Sequence, residues 1–142
     1  MARFIQTQNG TALRKKYLEF IAATIHALAG KKEIDDESKD MVSFIILMLA
    51  QINQTIEKAT NAWEKKDYWV KADQFRMEWQ WSNKMEKDLK IALQENNWND
   101  IVNIMIVLAN KCANTNPRKK IISAKPWIGA HAQLKKELKY NS

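Results

Sequence analysis

Seven of the last 28 residues are cations. Arg118, Lys119, Lys120, Lys125, Lys135, Lys136 and Lys139 face a single acid, Glu137, and a tryptophan, Trp127, sits among them. Cations beside an aromatic ring suit a nucleic-acid backbone: the charges meet phosphates, and the ring offers a face to an unpaired base. The same charge suits an anionic lipid surface or an acidic protein. Packing can also explain the pattern. Pro126 can open a short helix on which Trp127, His131, Leu134 and Leu138 share a face, leaving the lysines in water.

A second group is aromatic. Trp63, Tyr68, Trp69 and Phe75 cluster around one predicted turn, and Trp81 follows two residues after Trp79. Residues 79 and 81 lie about 200° apart on a helix, so the reading puts Trp79 on the core seam and Trp81 in a second layer or an interface. Tryptophan is enriched where proteins meet, so this set is the expected partner interface.

Enzyme chemistry lacks its usual parts. No Glu-x-x-His pair is present, so a di-iron bundle is unsupported. The two histidines, His26 and His131, stand far apart in sequence, and Gly10, Gly30 and Gly129 cannot form a phosphate loop. Cys112 is the single cysteine, which excludes an internal disulfide and a cysteine metal cluster and suits a small core residue in a reducing compartment. The expectation is a non-catalytic chain with no cofactor and no metal.

These residues must be carried by helices. From Lys31 to Asn116 there is no Gly or Pro, and the stretch is filled with good helix formers. Thr11 to Ala29 reads as a first helix, with Thr11 as cap and Gly30 as a left-handed end. Asp36 caps a second, whose Val42, Ile45, Leu49, Ile52, Ile56, Ala59 and Trp63 alternate spacings of three and four. A third starts at Asp67. A fourth starts near Asn97 or Asn99 and ends at Thr115-Asn116-Pro117. Met41–Ala50 is the most apolar run and is about half the length of a membrane span. The first ten residues hold no apolar run of signal-peptide length.

The predicted fold is therefore all-α: an antiparallel four-helix bundle over residues 1–114, with two long central helices and two shorter ones. Residues 115–142 form a basic tail with a short amphipathic helix packed on it. The long helices measure ~45 Å and the short ones ~27 Å at 1.5 Å per residue. Both short helices join the hairpin at its open end, so both cover the same half. The other half, roughly 54–78, projects, and the tail is the expected cover for its aromatics.

Residues 1–114 carry 16 Lys/Arg against 15 Asp/Glu, so the net charge of +7 belongs almost wholly to the tail. The leading functional expectation is a cytoplasmic, non-catalytic subunit of a larger assembly that contacts RNA or DNA through its backbone without strong sequence preference. The alternative is a protein-only adaptor that docks its aromatic hairpin on a partner or on a second copy. Peripheral membrane binding through the tail is the third. No integral membrane segment is expected.

Overall fold

The computed structural model describes residues 9–141, with side chains to residue 138. Six helices follow in order: α1 Gly10–Ala29, α2 Asp36–Lys65, α3 Trp69–Gln94, α4 Trp98–Lys111, α5 Lys119–Ala124 and α6 Ala130–Asn141. Among the described residues there is no strand. No described helix is long and apolar enough to cross a membrane.

The caps explain most of the boundaries. Asn9, rather than Thr11, caps α1 by accepting from the Ala12 N–H at 2.8 Å. Asp35, rather than Asp36, caps α2 and forms a reciprocal capping box with Ser38. Gly30 is right-handed at φ −83°, so its glycine freedom goes unused. Asp67 does not cap α3. It takes φ 65° inside the Lys66–Tyr68 turn, and the helix begins at Trp69 with no side-chain cap. Asn97 caps α4 by accepting from the Asp100 N–H.

α2 and α3 form a hairpin. Trp63 meets Phe75, Glu64 bonds Arg76 at 2.7 Å and Asn53 bonds Glu86 at 2.7 Å, so residue numbers fall along α2 as they rise along α3. α2 also packs against α1 and α6. α4 lies against α3 and touches α1 only lightly, and α5 lies on α1. The core holds Val42, Ile45, Leu49, Ile52, Leu89, Leu93, Ile101, Met105 and Leu108 in one cluster, as the seams predict. Cys112 and Leu134 join the same cluster.

The length mismatch has the expected result. α1 reaches up the hairpin to Thr55 and Phe75, where Arg14 Nη1 donates to the threonine Oγ1 at 3.1 Å and the guanidinium lies 4.9 Å from the phenylalanine ring. α4 ends with Lys111 over the Trp81 ring at 5.5 Å. Beyond these points the hairpin stands alone among the described residues.

The tail does not cover it. After α4 the chain folds back along α1, where Arg118 donates to Glu19 at 2.9 Å, and continues to the opposite end of the molecule. There Trp127 enters a cluster with Met41, Phe44 and Ala130. The route is set by two left-handed residues, Lys125 at φ 50° and Gly129 at φ 87°, and by acceptors on α2. Trp127 Nε1–H donates to Glu37 at 3.0 Å. The N–H groups of Gly129 and His131 donate to the Asp40 carboxylate at 3.2 and 2.9 Å. Asp40 thus satisfies donors at the start of α6 from another helix, in the way a capping carboxylate does. The predicted helix at Pro126 begins instead at Ala130, and α5 has no counterpart in the sequence reading.

Candidate interaction surfaces

The tail cations part company with their aromatic. Trp127 is 1% exposed, so its ring has no face for a base. This corrects the expectation that it stacks on nucleic acid. Arg118 is held by Glu19, and Lys125 lies 3.9 Å from Glu37. Lys119, Lys120, Lys135 and Lys136 are exposed, and among the described residues none has a carboxylate within ion-pair distance. α5 places the first two over α1, while α6 places the last two beside α2. Lys139 lies on α6, but its side chain is outside the described ones. The cations therefore wrap the body in place of forming one aromatic-centred patch.

The hairpin tip gathers most of the aromatic set. Tyr68 and Trp69 are about half exposed, Val70 is 71% exposed and Met77 74%. Beneath them Trp63 and Phe75 are half-buried edge to face, with centroids 5.1 Å apart. Lys71 covers the Trp63 ring at 4.6 Å. Trp81 is not part of the tip. It packs against the core cluster under Lys111. It also meets Trp79 with centroids 5.6 Å apart, so the two indoles share one side of α3 despite the 200° between their positions. Arg14 of α1 lies over the Trp79 ring and Lys111 of α4 over the Trp81 ring.

Arg14 marks the boundary between body and tip, and its type gave no hint of this. Its side chain is buried. The guanidinium bonds Thr11 and Thr55 and sits 4.9 Å from the Phe75 ring and 5.6 Å from Trp79. Desolvation lowers its pKa, partly offset by the charge of Glu78. Hydroxyls and aromatic faces stand in for a counter-ion here. Gly10 allows the approach, since a Cβ there would meet Arg14 Nη1 at 2.8 Å.

A third surface runs between α1 and α4. Ile25, Leu28, Ile34, Trp98, Val102 and Ile106 line an apolar groove of about 400 Å³. Val102 and Ile106 follow the buried seam residues Ile101 and Met105 by one position each, forming a second apolar stripe on α4. That stripe was the signal in the sequence that the seam concealed.

Two titratable groups near these surfaces are shifted by their surroundings. Burial raises the Cys112 thiol to about 11, so it is neutral at physiological pH and a poor nucleophile. Glu37 is held below its usual range, first by the Trp127 N–H and then by Lys31. Among the described residues no cluster of His, Cys, Asp or Glu is suited to a metal. Comparison of the chain with protein-family models, curated proteins and solved structures finds no match.

Proposed function

We propose that this chain is a non-catalytic helical docking module that meets a partner protein through the tip of the α2–α3 hairpin. The observation that carries the reading is the exposure of Tyr68, Trp69, Val70 and Met77 on a projection that neither short helix nor tail covers. Contiguous exposed apolar surface marks interaction sites, and aromatic anchors dominate their energetics. The same contacts support describing α1–α4 as an antiparallel four-helix bundle with one overlong hairpin, so that the body serves as a rigid base for the tip. A reducing, cytoplasmic setting suits the lone buried thiol.

The test places a photo-crosslinker at position 66, exposed in the same turn, of the full chain in its native host. The variant Tyr68→Ser/Trp69→Ala/Val70→Ser should keep the fold, because these side chains bury little. It should lose the crosslinked partner by about 30-fold or more if Trp69 is an anchor worth ~2 kcal/mol. Retention of every partner by the variant refutes the reading.

Non-specific contact with a nucleic-acid backbone is the second reading, favoured by exposed Lys119, Lys120, Lys135 and Lys136 without ion pairs among the described residues. Salt separates the two. Phosphate contacts weaken by ~0.9 in log K per log salt for each duplex contact, whereas an aromatic tip holds.

A further inference from the structure

Three helices bring cations to one cleft at the end of the molecule opposite the hairpin tip. Lys39 of α2, Lys90 of α3, and His131 and Lys135 of α6 line a cavity of about 630 Å³ whose apolar wall includes Leu93 and Leu134. None of its described lining residues is acidic. Two nearby carboxylates already have donors, one of them a lysine of the cleft itself. Asp40 accepts from the N–H groups of Gly129 and His131. Glu86 accepts from Asn53 at 2.7 Å and from Lys90 at 2.7 Å. Lys39 and Lys135 have no ion pair among the described residues.

We propose that this cleft binds a phosphate-type anion, carried by a soluble phosphate ester or by a lipid headgroup. Lysines act on phosphate as point charges and need no fixed fork. A dianion would offset the like-charge crowding of Lys39, Lys90 and Lys135. His131 adds a group whose charge adjusts to the ligand, since imidazole gains its second N–H donor when protonated. Among the described residues no aromatic ring lines the cleft. The inference is independent of docking at the tip.

The electrostatics around His131 agree with the geometry. Its pKa lies below 6.5, first through burial and then through the charges of Lys135 on its own helix and Lys39 on α2. Asp40 and Asp36, also on α2, act in the opposite sense with smaller effect. From α3, Lys90 faces the same cleft. Lys90 is paired with Glu86, so the cations of the cleft left without an ion pair among the described residues are Lys39 and Lys135, the two that act on His131.

The experiment follows the two imidazoles of the full chain by NMR while inorganic phosphate, then pyrophosphate, is added at constant ionic strength. His131 should titrate at a higher pH as the anion binds, by roughly half a unit or more. His26 is exposed and should not move. Lys39→Gln/Lys135→Gln should weaken binding about tenfold, from one half-buried and one exposed charge contact. Lys136→Gln, outside the cleft, should stay within about twofold. Lys90→Gln serves as a second variant if the double variant fails to fold, judged by far-UV circular dichroism. Flotation with phosphatidate-containing vesicles identifies the source: lysine-dependent flotation assigns a headgroup, and a lysine-dependent phosphate response without flotation assigns a soluble ester. Equal shifts at His26 and His131, or unchanged responses in the lysine variants, overturn the proposal.

Discussion

Replacing Trp127 by alanine should detach the tail. The indole is among the largest fully buried side chains. Burying a tryptophan removes roughly 150–250 Å² from water, worth about 4–6 kcal/mol at 25 cal/mol per Å². Compaction of the unfolded chain lowers that figure, and measured Trp→Ala losses are about 3–5 kcal/mol. The bond to Glu37 adds little to this total, because Glu37 keeps Lys31 as a partner at 3.0 Å. The loss falls on a satellite cluster of Met41, Phe44, Trp127 and Ala130, not on the main core around Leu49. Two signatures follow. Urea unfolding followed by circular dichroism should show a lower midpoint. Amide exchange should show α6 opening before α2 and α3, as a separate cooperative unit. Trp127→Phe keeps most of the ring and loses only the donor, so it should cost about 1–2 kcal/mol. A Trp127→Ala variant that loses less than ~1 kcal/mol and keeps α6 protected would refute the packing described here.

Cys112 should react slowly with a thiol reagent in the folded protein and rapidly in urea, because burial holds its pKa near 11. Fast labelling of the native chain would show an exposed thiolate. Acid should destabilise the fold in two stages. His131 has a lowered folded pKa, so the unfolded chain binds more protons as pH falls below 6.5, and stability is lost from there downward. Asp35 and Glu37 are also lowered, the first chiefly by the Ser38 N–H and the second by Trp127, so a further loss begins as pH falls below about 4.5. A stability that stays flat from pH 7 to 3 contradicts both assignments.

The helices themselves were legible because the seams are regular. Val42, Ile45, Leu49, Ile52 and Ile56 recur at spacings of three and four, and all five are buried. Trp63 continues that seam but is only half-buried, because by residue 63 the neighbouring helices have ended. Chain length alone accounts for this. The two short helices share one end of the hairpin whatever their side chains are, so the projection followed from arithmetic.

The course of the tail was illegible for a physical reason. It depends on contacts between residues about 90 positions apart, Trp127 with Glu37 and His131 with Asp40. Glu37 lies in the first turn of α2, where an acid is favourable for the helix itself, and Asp40 lies just beyond it. Nothing in their spacing shows that they also receive donors from α6. The left-handed turn at Lys125 was equally hidden, since it falls on a residue type that rarely adopts it. Arg14 shows the same limit. A cation on an exposed-looking helix start became buried because Thr55, Phe75 and Trp79 converge on it from the hairpin.

These placements divide the molecule into a sealed end and an open one. At the base, Trp127, Leu134 and Ala130 close the hydrophobic surface of α2 that α1 and α3 leave uncovered. At the tip, the hairpin core consists of little more than Trp63 against Phe75, with Ala72 and Thr60 buried beside them. Substitutions at Tyr68, Trp69 or Val70 remove side chains that bury little, so they should cost little stability. Retaining such residues on a surface therefore needs a reason other than folding. On the proposed reading binding supplies that reason: among the described residues, one half of the hairpin is wrapped on several sides and the aromatic half is left open.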